Sequence, residues 1–350
     1  MCVTKVGNNM SVVSPVRMVF MGSDEIAIPT LDYLAGASNL ITLEAVYTQP
    51  DRARGRGKKI QPNAIKSWAL ERSLSVIQPE SFGAEEVEAL EKLRPDIVLV
   101  MAYGHLLPQV VLDISKLGIY NIHTSLLPEL RGASPIETAV ASGFAESGVS
   151  LMQLVMRMDA GPICGQSVVP ISPLETGGTY RKKLADASPQ LLSEYLVSMV
   201  DGSIEIKEQV EAASTYCRLL VKQDGQLDFR RSAKLLASRI NGLNPWPGCF
   251  VKLDGEVLKV GSATFQPDES AGDSGAVVSS DSDGVAVATG DGILRLLTLQ
   301  KPGGKLLEVS DFLRGYPIEV GSRFENQEMH PLISKKPVSH KRVFQLYQKP

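Results

Sequence analysis

The chain has 350 residues, of which 43% are hydrophobic and 21% charged, so it is long enough for two globular domains with buried cores. Its formal net charge of -3 excludes a basic surface over the whole molecule, and any nucleic-acid contact must come from a local patch. The cysteines are scattered without CxxC spacing, which predicts neither a metal site nor a disulfide framework. The sequence has no signal-peptide core and no run of about 18 apolar residues, so we expect a cytoplasmic protein without a membrane segment.

Strands and helices alternate through the first 200 residues. The apolar run 17–22 predicts a buried first strand, and Ser23 or Asp24 can cap the helix that follows it. This alternation favours an α/β domain with a Rossmann-like open, parallel-type sheet and helices on both faces. No GxGxxG follows the first strand and no GxxxxGK[ST] occurs, which argues against dinucleotide or P-loop chemistry. The remaining predicted strands are 42–48, 75–78, 96–102, 148–156 and 163–170, and the helices are 63–72, 84–93, 135–142 and 180–199.

Residues 49–62 form a basic stretch in which glycines disfavour regular structure. Most such stretches are solvated surface loops. A mobile Arg/Lys loop can also wrap phosphates and become ordered on binding, so a weakly acidic protein could engage RNA here. The basic residues are Arg52, Arg54, Arg56, Lys58 and Lys59.

The pattern weakens over 201–215, which we interpret as a linker between a first domain at 17–200 and a second at 216–324. The second domain starts near Tyr216 with a segment that leads to a helix at 232–240. The closely spaced short strands that follow predict a small, OB-like β-barrel. We expect Trp246, in the turn NPWPG, to lie in its core. Residues 325–350 are basic and are predicted to be a flexible tail. The strands expected in this domain are 250–253, 257–260, 275–278, 284–288 and 293–300.

An amide, an imidazole and a carboxylate are expected to converge in the first domain. Asn121 and His123 lie two residues apart in an apolar run, so both side chains project to the same face of a strand. The intervening helix and returning strand can bring Asp159 back beside them. Such a set suits acyl-type transfer to an amine, because Asn121 and His123 can stabilise the developing oxyanion while Asp159 orients the imidazole.

The string NIHTSLLPELRGASP, followed by MDAGP, resembles the core signature of the formyltransferases that use 10-formyltetrahydrofolate. The resemblance implies that Asn121, His123 and Asp159 are catalytic. It also implies that the folate co-substrate is contacted by two further segments: the SLLP run, Ser125, Leu126, Leu127 and Pro128, and the pair Tyr103 and Gly104 of AYG.

The string PDRARGRGKK is similar to a loop in those family members that act on initiator tRNA. By that resemblance Arg56 is the arginine on which recognition depends, accompanied by Lys58 and Lys59. Arg52 and Arg54 are also predicted to bind tRNA, and Arg54 adds a charge where many family members have alanine. The order KQDGQLD, helix, NPWPG and short strands resembles the tRNA-binding second domain of the same members. The resemblance implies an enzyme that moves a formyl group from 10-formyltetrahydrofolate to the α-amine of charged methionyl initiator tRNA. Nothing in the sequence demands a dimer, so we expect a monomer.

Two alternatives remain open. One is a folate-dependent formyltransferase acting on a small amine, such as glycinamide ribonucleotide or an amino-sugar nucleotide. The basic loop and the second domain argue against it. The other is a non-catalytic RNA-binding relative, against which the intact Asn121, His123 and Asp159 weigh.

Overall fold

The computed structural model describes residues 2–6, 9–13, 15–54, 59–267 and 272–339, and it divides into two compact units. Unit 1 comprises Met1–Pro128, Gly148–Val169 and Lys182–Ala213. Unit 2 comprises Glu129–Ser147, Pro170–Arg181 and Ser214–Pro350, so it includes two short segments that lie within the predicted first domain.

The strands of the described residues are β1 Cys2–Val6, β2 Asn9–Val13, β3 Val16–Gly22, β4 Ile41–Tyr47, β5 Arg52–Arg54, β6 Lys59–Gln61, β7 Ser75–Ile77, β8 Ile97–Met101, β9 Ile119–His123, β10 Arg131–Gly132, β11 Glu146–Gln153, β12 Ile163–Pro170, β13 Tyr216–Cys217, β14 Cys249–Leu253, β15 Glu256–Gln266, β16 Val277–Asp281, β17 Gly284–Ala288, β18 Ile293–Gln300, β19 Leu307–Glu308 and β20 Ile333–Ser334. The α-helices are α1 Ile28–Gly36, α2 Ala64–Glu71, α3 Ala84–Lys92, α4 Gln109–Leu112, α5 Pro135–Ala141, α6 Gly177–Asp201, α7 Ala233–Gly242 and α8 Val309–Gly315.

Unit 1 is built on a seven-stranded sheet with the order β12-β11-β9-β8-β3-β4-β7. The neighbours from β9 to β7 run parallel, and β11 runs antiparallel to β9. All five residues of β8, IVLVM, are buried, as expected for a central strand covered on both faces. This confirms the predicted α/β fold. The carboxyl ends of β3, β4, β8 and β9 meet at one edge of the sheet, where ligands of open α/β proteins bind.

Local signals set several of the helix ends. The Asp24 carboxylate accepts a hydrogen bond from Ile26 N at 3.0 Å, at the start of the turn that leads into α1. Asn63 Oδ1 accepts from Lys66 N at 2.9 Å and caps α2. These contacts satisfy backbone N–H groups that have no partner inside a helix.

Unit 2 contains a predominantly antiparallel sheet with the order β14-β15-β18-β17-β16, and β19 adds to β18. Strand β15 runs six residues beyond the predicted 257–260, because it pairs with β14 and then, through a register shift near Ser262, with β18. Helices α5 and α7 approach closely, since a Cβ on Gly242 would lie 2.2 Å from Ala141 N. The predicted β-rich C-terminal domain is thereby confirmed, and its strands form an antiparallel sheet.

Two expectations are wrong in detail. Trp246 is 56% exposed rather than in the core. Its turn lies at the surface and is closed by Gly248 N, which donates to Leu243 O at 2.8 Å. The buried residues that flank the turn are Leu243 and Cys249. The basic stretch is partly regular, because β5 and β6 pair antiparallel with Ala53 opposite Ile60.

Residues 325–339, which belong to the expected tail, make specific contacts within unit 2. Strand β20 pairs with β13, and β13 pairs with β10 in a three-stranded sheet. Leu332 is 3% exposed in the core of the unit, and Arg239 donates to His330 O at 2.8 Å. Residues 340–350 lie outside the described residues.

Candidate active site

Strand β9 carries Asn121 and His123 at the carboxyl edge of the unit 1 sheet. Asn121 lies between Val100 of β8 and Met152 of β11, and His123 pairs with Ser150 of β11. His123 is 6% exposed, whereas Asn121 is half-buried. The two side chains project from the same strand face, as the two-residue spacing predicts.

Asp159 lies in the connection from β11 to β12, where its Oδ2 is 3.9 Å from His123 Nδ1. This separation is within ion-pair range and longer than a hydrogen bond. The Asp159 side chain is 16% exposed, so the pair is shielded from most of the solvent. The structure therefore brings the predicted carboxylate to the predicted imidazole, where it can orient the ring.

The backbone of Asp159 has φ of +48°, in the left-handed region that aspartate tolerates better than most residues. Gln209 fixes this conformation: its Nε2 donates to Asp159 O at 2.9 Å and to Gly161 O at 2.7 Å. Arg157 of the same connection forms an ion pair with Glu211. The predicted linker thus lies along the connection that holds Asp159.

The predicted folate loop, Ser125 to Pro128, is held by a hydroxyl on the neighbouring strand. The fully buried Ser150 Oγ donates to Ser125 O at 2.6 Å and accepts from Leu127 N at 3.0 Å. Gln166 Nε2 of β12 donates to the same hydroxyl at 2.8 Å and to Leu127 O at 2.9 Å. Sequence reasoning missed Ser150, Gln166 and Gln209. The only signal for Ser150 is its register opposite His123, which needs the strand pairing.

Tyr103 and Gly104 follow β8 at the same edge of the sheet. The Tyr103 ring is 2% exposed, and its hydroxyl has no hydrogen-bond partner among the described residues. Burial, together with the neighbouring Tyr47, raises the pKa of Tyr103, so the hydroxyl stays protonated and able to donate. Gly104 has φ of +80°, a conformation that favours glycine. The ring of His105, a loop residue, lies 5.1 Å from the Tyr103 ring.

The predicted RNA-binding residues lie on or between β5 and β6. Arg52 donates from its guanidinium to Gln49 Oε1 at 3.1 Å, and Lys59 is exposed on β6. Arg54 ends β5. Arg56 and Lys58 lie outside the described residues.

Within the described part of the chain, no group of three or more His, Cys, Asp or Glu side chains is arranged to hold a metal ion. Among the same residues, no helix is both long enough and apolar enough to cross a membrane.

Two protein-family models match this chain. Residues 16–196 match the family model "Formyl transferase", and residues 219–317 match "Formyl transferase, C-terminal domain". The chain is 43% identical over 296 residues to a methionyl-tRNA formyltransferase of Pseudomonas entomophila (strain L48), an alignment that covers 84% of this chain and 94% of the relative.

Two solved structures share the fold. The sugar 3N-formyltransferase WlaRD, crystallised with dTDP and 5-N-formyl-THF, has 15% identity and a TM-score of 0.60 over 80% of this chain and 97% of its own. HypX from Aquifex aeolicus, in complex with tetrahydrofolic acid, has 17% identity and a TM-score of 0.55 over 86% of this chain, which spans 47% of the HypX chain. The match of both family models and the extent of the curated similarity show that this chain belongs to the methionyl-tRNA formyltransferase family.

Proposed function

We propose that this chain transfers the formyl group of 10-formyltetrahydrofolate to the α-amine of methionine on initiator tRNA, giving N-formylmethionyl-tRNA. The observation that carries the proposal is the convergence at one sheet edge of Asn121, His123 and Asp159, with His123 Nδ1 3.9 Å from Asp159 Oδ2. Amide, imidazole and carboxylate groups are what attack of an amine on a formyl carbon requires.

In the proposed mechanism, the Asn121 amide and the His123 imidazole stabilise negative charge on the formyl oxygen as the amine attacks. The Asn121 side chain makes no hydrogen bond to another described residue, so its amide is available to donate. Asp159, whose Oδ2 lies 3.9 Å from His123 Nδ1, orients the imidazole. The proton lost by the amine reaches the leaving nitrogen through His123 or through a water held by Asp159.

The residues proposed to hold the folate fit such a ligand. Tyr103 offers a buried hydroxyl without a partner among the described residues, and a ligand acceptor would satisfy it. The loop Ser125 to Pro128 is fixed by Ser150, so its backbone groups are preorganised to meet a polar ring edge. When bound, 10-formyltetrahydrofolate supplies the formyl carbon and the leaving nitrogen.

The proposed acceptor is charged initiator tRNA, with Arg52, Arg54, Arg56, Lys58 and Lys59 of the basic stretch 49–62 as its contacts. Their close spacing in the sequence suits neighbouring phosphates. We also propose that the protein is a monomer and that it acts in the cytoplasm, where charged initiator tRNA is found.

The test is transfer of labelled formyl from 10-formyltetrahydrofolate, with charged initiator tRNA, charged elongator methionyl-tRNA and free methionine as parallel acceptors. Formylation of the initiator alone is expected. Arg56→Ala should then reduce transfer to tRNA and leave folate binding unchanged. Folded protein that formylates only a small amine, and is indifferent to Arg56→Ala, would refute the proposal.

Asn121→Ala tests the assigned chemistry directly. Loss of one oxyanion donor lowers turnover by roughly a hundredfold or more, so the variant should fold normally and be nearly inactive. Near-normal turnover by folded Asn121→Ala would remove Asn121 from the catalytic set.

A further inference from the structure

The side chains of Asp51, Lys66 and Gln78 form a polar cluster at the base of the basic hairpin, where the hairpin meets the sheet of unit 1. Lys66 Nζ, in the first turn of α2, donates to Asp51 Oδ2 at 2.6 Å and to Gln78 Oε1 at 2.7 Å. Gln78 Nε2, just beyond β7, donates back to Asp51 Oδ1 at 2.9 Å. Each of the three side chains therefore bonds both of the others.

Both ends of the hairpin are tied to this cluster through Gln49. The Gln49 carbonyl, two residues before Asp51, accepts from Gln78 Nε2 at 2.8 Å and from Asn63 Nδ2 at 3.1 Å. Asn63, two residues after β6, is 3% exposed and also caps α2 by accepting from Lys66 N. The chain entering the hairpin and the chain leaving it are thus fixed to each other and to α2.

The same glutamine connects the hairpin to the turn that carries Tyr103. Gln49 Nε2 donates to Tyr103 O at 3.3 Å, and Gln49 N donates to Ser23 Oγ at 3.0 Å. Ser23 Oγ in turn donates to Tyr103 O at 3.1 Å. The base of the proposed RNA-binding hairpin therefore has a defined position relative to the proposed folate turn.

The charge of Lys66 is already neutralised inside the cluster. The hydrogen bond from Lys66, followed by that from Gln78, holds the pKa of Asp51 below its usual value, so the carboxylate is ionised at neutral pH. The Lys66 and Asp51 side chains are only 22% and 26% exposed. Lys66 is thus less suited to bind an RNA phosphate directly than the exposed lysine of the hairpin, Lys59.

We propose that Asp51, Lys66 and Gln78 form a clamp that sets the direction of the basic hairpin, and that they are positioning residues for the RNA acceptor. This inference rests on the proposed transfer to tRNA. A hairpin of two three-residue strands is marginally stable by itself. An anchored base therefore reduces the conformational entropy that is lost when the basic residues of these strands bind phosphates.

The test compares Asp51→Asn, Lys66→Met and the double variant with the wild-type chain. The matched control is Lys92→Met, which breaks an exposed helical ion pair with Glu88. For each protein, the KM values for charged initiator tRNA and for 10-formyltetrahydrofolate are measured, together with the affinity for uncharged initiator tRNA.

Each single variant should raise the KM for tRNA by about tenfold, the scale expected when charge-assisted hydrogen bonds are lost from a preorganised site. The double variant should be no worse than the more affected single variant, because both changes open the same clamp. The KM for folate should stay within about twofold of wild type, as should every constant of Lys92→Met, because exposed helical ion pairs contribute little. Gln78→Leu leaves both charges in place and should give the same selective defect, so the test stands even if Lys66→Met folds poorly.

A direct phosphate contact by Lys66 predicts a different pattern. Asp51→Asn removes a negative charge beside the proposed RNA site, so electrostatics alone would strengthen tRNA binding while Lys66→Met weakens it. Effects of opposite sign would overturn the clamp, as would equal losses for folate and tRNA. Normal constants in active variants would also overturn it and leave the proposed function intact. A wild-type chain that cannot formylate tRNA would instead refute the proposed function and the clamp together.

Discussion

Ser150→Ala should loosen the loop that we assign to folate without touching a catalytic side chain. The hydroxyl is fully buried, and Leu127 N, which donates to it at 3.0 Å, has no other acceptor among the described residues. Leaving one buried N–H unsatisfied costs about 1–3 kcal/mol, and loss of the bond to Ser125 O adds about 1 kcal/mol. We therefore expect the free energy of unfolding to fall by about 2–4 kcal/mol.

The same substitution should change catalysis selectively. A loop displaced by about 1 Å can lower the efficiency of a positioned reaction by up to about a hundredfold, so we expect the KM for 10-formyltetrahydrofolate to rise clearly. Gln166 Nε2 still reaches Leu127 O, which should keep the loop from detaching. Urea unfolding and steady-state kinetics with each substrate varied in turn measure the two effects.

Ser188→Ala is the matched control. Ser188 is also fully buried, but its hydroxyl donates to Leu184 O within α6. Such a hydroxyl contributes little to helix stability, so we expect a change below about 1 kcal/mol and normal kinetics. If Ser150→Ala were as stable as Ser188→Ala and kept the wild-type KM for folate, the role given to Ser150 would be wrong.

Three further outcomes are expected. Gln209→Ala removes both side-chain hydrogen bonds to the connection that carries Asp159, so kcat should fall by about tenfold while both KM values hold; an unchanged kcat would contradict this. Gly148→Ala places a Cβ 2.0 Å from Ser167 O, which forces the β11 backbone to move, so the melting temperature should drop by several degrees; a wild-type melting curve would show that the strand yields easily. Burial raises the pKa of Cys164 to about 11, so its thiolate fraction at pH 8 is about one in a thousand. Alkylation of the peptide that contains Cys164 should therefore be slow at pH 8 and accelerate towards pH 11, and rapid labelling at pH 8 would contradict this expectation.

The central sheet, and the shared strand face of Asn121 and His123, could be predicted because their signals are local. A run such as IVLVM must be buried, and a spacing of two places Asn121 and His123 on one strand face. Gln209 could not be predicted, because it lies 50 residues from Asp159 and only the folded path of the linker brings them together. Trp246 was misplaced because an aromatic ring between prolines gives no sign of which side of the turn faces the core.

The basic hairpin also has features that the sequence predicts and features that it does not. Composition alone identified its charge, whereas glycines and arginines gave no sign that β5 and β6 pair. The clamp beneath it joins Asp51, Lys66 and Gln78 from three separate segments of the chain. Such a network depends on the order of the strands and the placement of the helix. Local sequence patterns do not predict which side chains these features bring together.

Strand β20 has a practical consequence for any shortened form of this protein. It covers the backbone of Tyr216 and Cys217 on one side of β13, and Leu332 beside it fills part of the unit 2 core. A fragment ending after residue 317 would keep both family matches yet expose an apolar hole and a bare strand edge. Bare edges template pairing between molecules, so such a fragment should self-associate in concentrated solution although every proposed catalytic residue is present.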